Sequence, residues 1–238
     1  MKYKLLSIVI PVYNEQDFIE TVISRVLTSD ISPLKKEIII VDDASTDKTA
    51  QIIKKIALLH PEISLITCEK NNGKGAVLRR GFLKTRGDIV LIQDADLEYN
   101  PEEYPLLLEP FLVSDADVVF GSRFISNRPH RVLYFWHYVA NVILTTFSNI
   151  FTNLNLTDME TGYKVFRGEV IRAVGKKLQS NRFGFEPEVT ARIAKIPNIK
   201  IFEVGISYAG RTYNEGKKIG WRDAIEAIGA VIKYNLFC

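Results

Sequence analysis

Cysteine is scarce: the 238 residues contain two, Cys68 inside an apolar run and Cys238 as the last residue. That scarcity excludes a disulfide-stapled scaffold, leaves no thiolate cluster for zinc or redox chemistry, and suits a reducing compartment. Internal repeats and low-complexity tracts are missing, so collagen-like and disordered readings fall away. No secretory signal is read at the start, where Met1 to Leu6 runs directly into a strand pattern. What remains is an ordinary globular composition, 47% apolar and 25% charged, in a chain long enough to bury a core without covalent staples. The net charge of +3 says little, but its distribution is uneven. Residues 1–122 carry 14 Lys/Arg against 19 Asp/Glu, and residues 123–238 carry 17 against 9. An acidic half suits a metal or a sugar and a basic half suits phosphates or an anionic membrane, although scattered solvated charge gives the same asymmetry.

The first half alternates strand and helix patterns. Leu5 to Val12 is a continuous apolar run, as expected of a strand buried on both faces. Glu15 to Leu27 carries apolar residues at 18, 19, 22, 23, 26 and 27, a helical spacing. Strand patterns recur at 38–41, 63–68, 88–93 and 117–120, with helices expected over 48–59, 73–85 and 101–113. Ser45-Thr-Asp47 stands ready to cap the second helix, and Pro101 sits at a first-turn position of the last. This order implies a doubly wound, mostly parallel sheet with helices on both faces. After Gly121 the rhythm breaks. Val132 to Phe151 is twenty residues without Lys, Arg, Asp or Glu, long enough to span a bilayer. His137, Asn141, Thr145, Thr146, Ser148 and Asn149 make it too polar for that. The expectation is an amphipathic helix, either packed on the domain or lying in a membrane interface. Further strands are expected at 163–166 and 199–204, helices at 187–195 and 221–234, and a glycine-rich mobile loop at 208–220.

The chemistry concentrates where strands end. Asp94-Ala95-Asp96 follows the fourth strand, at the carboxyl edge where open α/β sheets bind ligands. Paired carboxylate oxygens suit Mg²⁺ or Mn²⁺, and Glu98 offers a third. Taken alone, an Asp-x-Asp is as readily a loop with capping carboxylates. Three companion loops change that balance: Pro11-Val-Tyr-Asn-Glu15, Asp42-Asp43 with Ser45-Thr-Asp47, and Asn72-Gly-Lys-Gly75. They supply an aromatic face, acceptors for a base or ribose, and a Gly73-Lys74 turn that opens a helix toward phosphate. That turn lacks the spacing of a P-loop, and Asp43 is also plausible as a plain turn residue.

These segments together carry a family resemblance. VIPVYNE (9–15), VDDASTDKT (41–49), NNGKGAVLRRGF (71–82), DADLEY (94–99) and GSRF (121–124) resemble family 2 inverting glycosyltransferases of the A-type fold. TDMETGYKVFR (157–167), FEPE (185–188) and GRTYNEGKKIGWRDAI (210–225) look like the dolichyl/polyprenyl-phosphate mannose and glucose synthase branch. The resemblance implies one catalytic domain over residues 1–238, with a nucleotide-sugar half (1–122) and an acceptor half (123–238). It implies that Pro11, Tyr13, Glu15 and Asp43 hold the base and ribose of a nucleotide-sugar. Asp94 and Asp96, with Ala95 between them, would bind ribose, donor and a divalent metal, Mg²⁺ or Mn²⁺. Glu98 would add a metal ligand, where some relatives have Gln. Arg123 and Arg131 match basic residues that meet the phosphates of donor or lipid acceptor. Arg211 and Lys218 match a basic loop that closes over the diphosphate, with Lys217 standing where some relatives have Ser.

The activity so implied is transfer of a hexose from GDP-mannose or UDP-glucose to a polyprenyl phosphate. That acceptor is already an anion and needs no strong base. A rival with the same fold uses a sugar hydroxyl, which needs a base, and Asp158, Glu186 or Glu188 are candidates. For Glu188 a first-turn carboxylate favoured by the helix dipole is an equal reading. His137, in an aromatic helix, reads as packed or interfacial. A non-catalytic nucleotide-sugar or lipid-phosphate binding module is the third reading, disfavoured by the full set Asp94, Asp96 and Glu98. Many relatives continue into transmembrane helices. The expectation here is a cytoplasmic protein held peripherally on the membrane face, with no nucleic-acid partner.

Overall fold

Alternation along the strands decides the architecture. In β1 (Leu5–Val12), Leu6, Ile8, Ile10 and Val12 enter one apolar core while Val9 enters a second. In β4 (Ile89–Ile92), Ile89 and Leu91 join the first core, and Val90 and Ile92 join the second. Successive side chains point to opposite faces, so a strand apolar throughout must be covered on both sides. The computed structural model describes residues 2–125, 129–132, 134–211 and 221–237. Besides these two strands it contains β2 (Lys35–Asp42), β3 (Ile63–Thr67), β5 (Val118–Ser122), β6 (Lys164–Arg167) and β7 (Ile201–Gly205).

The strands form one sheet in the order β3-β2-β1-β4-β6-β5-β7. Every pairing is parallel except those of β6, which runs antiparallel to both β4 and β5. The doubly wound, mostly parallel expectation therefore holds. From β1 the chain steps outward to β2 and β3, then returns to place β4 on the other side of β1. The crevice beyond the carboxyl ends of β1 and β4 is thus a topological switch point. Because β6 runs the opposite way, the residues that precede it, 157–163, arrive at this same edge.

α1 (Ile19–Thr28), α2 (Thr49–Ala57) and α4 (Tyr104–Val113) supply the first core, and α3 (Lys74–Phe82), α6 (Gly168–Gly175) and α7 (Phe185–Ala194) the second. α1 turns Ile19, Val22, Ile23 and Val26 inward, the stripe that its spacing predicted. Each such fully buried side chain contributes roughly 1.5–3 kcal/mol. Pro101 opens a 3₁₀ turn, Pro101–Glu103, before α4, and the Asn100 side chain caps it by accepting from the Glu102 N–H at 3.2 Å. α6 has no counterpart in the sequence reading, since eight residues hold too few turns for a period to show.

α5 (Phe135–Thr152) and α8 (Trp221–Leu236) pack against each other and against α7. α5 buries only Leu144, Thr145 and Ser148, and leaves Phe135, Trp136, Tyr138, Ile143 and Ile150 exposed. Among the described residues, no helix is long and apolar enough to cross a membrane.

One buried polar residue ties the fold to the edge where the Asp94 loop begins. Gln93 is 1% exposed, and its Oε1 accepts from the hydroxyls of Tyr104 at 2.7 Å and Tyr163 at 2.8 Å. Its Nε2 donates to the Asp94 carbonyl at 3.0 Å. Gln93→Leu should leave two buried phenol groups without an acceptor and lower stability by about 2–4 kcal/mol, read as a shift in the denaturant midpoint. An unchanged midpoint would show that the hydroxyls find other partners.

Candidate active site

Four loops meet at the crevice, and three of them bend through a non-glycine residue in the left-handed region: Asn14 (φ 51°), Ala44 (φ 60°) and Leu97 (φ 61°). Such conformations cost on the order of 1–3 kcal/mol each and persist where the surroundings over-determine them. The β1 and β2 loops are cross-linked. Asn14 Oδ1 accepts from the Thr46 N–H at 2.8 Å, and the Glu15 N–H donates to Thr49 Oγ1 at 2.9 Å. Asp47 accepts from the Thr49 N–H at 2.9 Å, so the Ser-Thr-Asp segment does support the start of α2. Asp43 is 3% exposed and accepts from the N–H groups of Asn72 at 2.8 Å and Gly73 at 2.7 Å. It therefore anchors the turn that opens α3. That turn requires glycine: Gly73 has φ 91°, and a Cβ there would lie 2.5 Å from the Asn181 carbonyl oxygen.

The carboxylates after β4 are crowded and matched by cations. Lys74 Nζ lies 3.0 Å from Asp94 and 3.3 Å from Glu186. Burial works against its charge, but Asp94 and then Glu186 outweigh burial and hold it protonated. Gly162 allows Asp94 its place, because a Cβ at 162 would sit 2.2 Å from Asp94 Oδ2. Asp96 is pushed up to about 7 by burial, then by the negative charges of Asp94 and Glu98, with Arg211 opposing. The Arg211 guanidinium lies 3.4 Å from Glu15, 3.2 Å from Asp96 and 3.5 Å from Glu98. Glu98 also accepts from the Tyr208 hydroxyl at 2.6 Å and the Arg211 N–H at 2.8 Å. The oxygen donors of Asp94, Asp96 and Glu98 fit a hard divalent cation. As they stand, these carboxylates are engaged by Lys74, Arg211 and Tyr208. Among the described residues, no group of three or more acidic, His or Cys side chains is arranged to hold a metal ion.

A second region adjoins the first across Tyr208. A groove of about 430 Å³ is lined by Arg123, His130, Arg131, His137, Tyr138 and Tyr208, among others. Arg123 forms a fork on Asp158, at 2.6 Å through Nε and 2.7 Å through Nη2, and lies over the Tyr208 ring at 5.1 Å. Burial opposes the charge on Arg123, and Asp158 more than restores it. Arg131 donates from Nη1 to the Gly210 carbonyl at 3.1 Å, and its N–H donates to the Tyr208 carbonyl at 2.8 Å. The exposed aromatic end of α5 borders this groove through Tyr134, Phe135 and Tyr138.

The structure thus brings Glu15, Lys74, Asp94, Asp96, Glu98 and Arg211 together, with Arg123 and Arg131 one ring away. Pro11 is the next-to-last residue of β1, Tyr13 follows the strand and is exposed, and Ala95 is buried. Lys218 and the rest of residues 212–220 lie outside the described residues, and with them most of the loop expected to move. Two of the candidate bases are engaged. Asp158 is held by Arg123, and Glu188 accepts from the Gln179 and Ser180 N–H groups and from Arg192 at 2.7 Å. Tyr208, Glu160 and Lys164 were not singled out from the sequence. The available signal was a Lys and a Glu beside the strand pattern at 163–166, a charged pair in a segment that must be buried.

Glu160 is pushed up to about 8 by burial and then by the nearby Glu186. Lys164 is pulled down to about 8 by burial despite Glu186 and Glu160. A carboxyl that titrates at 4.5 when unfolded and about 8 when folded holds more protons in the fold between those values. Its contribution to stability is present below pH 4.5 and is lost as pH rises toward 8. Glu160→Gln should remove that part of the decline, so wild type and variant diverge progressively between pH 5 and 8 in denaturant melts. Parallel curves would remove Glu160 as the cause.

Comparison with known proteins bears on the family and the fold. The chain is 31% identical over 219 residues to undecaprenyl-phosphate mannosyltransferase of Micrococcus luteus, covering 89% of this chain and 86% of that protein. It is 27% identical over 220 residues to dolichol-phosphate mannosyltransferase of Pyrococcus furiosus, covering 90% of this chain but only 60% of that protein. The solved structure of glucosyl-3-phosphoglycerate synthase from Mycobacterium tuberculosis, in complex with Mn²⁺, UDP and phosphoglyceric acid, superposes with a TM-score of 0.72 at 19% identity, covering 99% of this chain and 80% of that one. At that identity the likeness speaks for the fold, which is the A-type glycosyltransferase fold. The model of the glycosyl transferase family 2 matches residues 7–175, more than half of the chain. With the switch-point crevice, the Asp94-Ala95-Asp96 loop and this match in hand, the chain belongs to glycosyl transferase family 2.

Proposed function

We propose that this glycosyltransferase moves one hexose, mannose or glucose, from a nucleoside diphosphate-sugar to a polyprenyl phosphate, with inversion at the anomeric carbon. The observation that carries the reading is the groove beside the donor carboxylates. Arg123 and Arg131 line it, exposed aromatic side chains border it, and Asp158 and Glu188, two of the three carboxylates a hydroxyl acceptor would call on, are each held by an arginine. The third, Glu186, is paired with Lys74. A phosphate monoester brings its own negative charge to the anomeric carbon and leaves nothing for a base to remove. The similarity to the two polyprenyl-phosphate mannosyltransferases supports the same acceptor class.

In this reading residues 1–122 hold the donor and residues 123–238 present the acceptor. Pro11, Tyr13, Glu15 and Asp43 receive the base and ribose of GDP-mannose or UDP-glucose, and Asp43 also holds the Asn72-Gly73 turn that places Lys74. Asp94, Asp96 and Glu98 would hold Mg²⁺ or Mn²⁺. A bound divalent ion there supplies charge neutralisation for the departing diphosphate. Lys74 fixes Asp94, Arg211 adds positive charge at the diphosphate, and Arg131 orients the acceptor phosphate in the groove. Lys218 belongs to the same basic segment as Arg211. The exposed face of α5, with Phe135 and Trp136, rests in the interface of the cytoplasmic membrane leaflet, where the lipid's phosphate is presented. No nucleic acid enters this scheme.

Nucleotide release from a panel of nucleotide-sugars should depend on added polyprenyl phosphate, and mass analysis should show a hexosyl lipid phosphate. Arg131→Ala should chiefly raise the lipid phosphate needed, with Arg131→Lys restoring it only in part because Lys lacks the planar fork. Hexose appearing on a sugar hydroxyl, with a basic-limb pKa that vanishes in Asp158→Asn, would overturn the acceptor. The membrane contact is checked separately by flotation with anionic liposomes. Wild type should float, and Phe135→Ser with Trp136→Ser should reduce it several-fold. Equal flotation would remove α5 from the contact.

A further inference from the structure

Two arginines pair with carboxylates at this site, and they do so differently. Arg123 meets Asp158 through a bidentate fork at 2.6 and 2.7 Å, the geometry of a permanent pair. Arg211 touches three separate carboxylates at 3.2, 3.4 and 3.5 Å and forks onto none of them. Its Nε is buried and has no hydrogen-bond partner among the described residues. The backbone around it is well held. The Arg211 N–H donates to Glu98 at 2.8 Å, the Ala209 N–H to the Glu98 carbonyl at 3.1 Å, and the Tyr208 hydroxyl to Glu98 at 2.6 Å. The guanidinium lies over the Phe18 ring at 5.6 Å. The stem is anchored, while the guanidinium makes one long hydrogen bond each to Glu15 and Asp96, at 3.4 and 3.2 Å, and an ion pair with Glu98 at 3.5 Å.

We infer that Arg211 is an exchangeable built-in counter-ion: in the ligand-free chain its guanidinium competes with the divalent cation for Asp96 and Glu98. This rests on the reading of those two carboxylates as donor and metal ligands. One cation satisfies the crowded acids at a time, because Arg211 now stands among the oxygens that would turn to the ion. An incoming nucleoside diphosphate supplies what the acids alone do not, a second polyanion for the guanidinium. Arg211 then leaves Asp96 and Glu98 for the diphosphate, and the acids are released to the ion. Cation and donor thus bind jointly, each raising the affinity of the other by the same factor. The weak, unforked contacts keep the exchange inexpensive, whereas a fork such as that of Arg123 would hold the acids shut.

The test is a Mn²⁺ titration of the full chain followed by electron paramagnetic resonance, without nucleotide and then with GDP or UDP. Without nucleotide, Arg211→Gln should bind Mn²⁺ about tenfold more tightly than wild type, within the usual 5–150-fold range of coupling between ligands. Arg211→Lys should fall between them. Adding the nucleotide should tighten Mn²⁺ in wild type by a larger factor than in Arg211→Gln. Arg211→Gln binding Mn²⁺ no more tightly than wild type overturns the inference. Thermal melting checks the fold, and if Arg211→Gln does not fold, Phe18→Ala decides. It keeps the charge but removes the ring beneath it, and should tighten Mn²⁺ by a smaller factor, while no change counts against the inference. None of these titrations needs a lipid. Competition without hexose transfer would leave the counter-ion in place and remove the proposed acceptor; transfer without competition would do the reverse.

Discussion

The site depends on one electrostatic constraint. Asp94, Asp96, Glu98 and Glu15 crowd the end of β1 and β4, with Glu186 close behind, where burial makes each charge expensive. Such a cluster exists only if cations are built in or recruited. Lys74, protonated despite its burial, is a fixed one, set between Asp94 and Glu186. Arg211 is a loosely held one. Burial, and after it the charges of Asp94 and Glu98, still push the Asp96 carboxyl up to about 7 against the pull of Arg211. The glycines follow from the same crowding. Gly162 makes room for Asp94, and Gly73 lets the turn that carries Lys74 close onto the two oxygens of Asp43.

The antiparallel strand brings two further segments to the edge where the carboxylates stand. Parallel strands alone would deliver only the loops that follow them. By reversing, β6 delivers the segment that precedes it, and Asp158 reaches Arg123 while Gly162 reaches Asp94. β7, parallel again, sends Tyr208 and Arg211 back over the same edge. Tyr208 then serves both regions, with its hydroxyl on Glu98 and its ring beneath Arg123. The carboxylate crevice and the basic groove share a wall one side chain thick.

Much of this was legible in the residue order. The apolar runs at 5–12, 38–41 and 88–93 had to be strands covered on both faces, and the stripe from Ile19 to Val26 could only be a helix lying on them. Polar loops following those strands had to share an edge, so the positions of Glu15, Asp43, Lys74, Asp94 and Asp96 relative to one another followed from topology alone. Periodicity is local, however, and it failed where structure is short or reversed. The eight residues of α6 are too few to show a period, and the direction of β6 depends on distant partners such as Leu91, paired with Val165, and Val118, paired with Phe166.

What the chain order by itself determined is therefore the doubly wound sheet, the edge that carries the chemistry and the residue types gathered there, because strand burial and loop placement are consequences of local pattern. Only the tertiary structure decided which charges meet. Asp158 and Glu188 looked alike as candidate bases, yet each is held by an arginine, at 2.6 and 2.7 Å. Asp43, one of the polar loop residues at the edge, anchors the Asn72-Gly73 turn with both carboxylate oxygens. Arg211 lies 115 residues from Asp96 and pairs with it. Pairings across such separations are chosen by packing, and electrostatic energy at a buried site falls steeply with distance, so that only the folded chain determines which carboxylates remain available for chemistry.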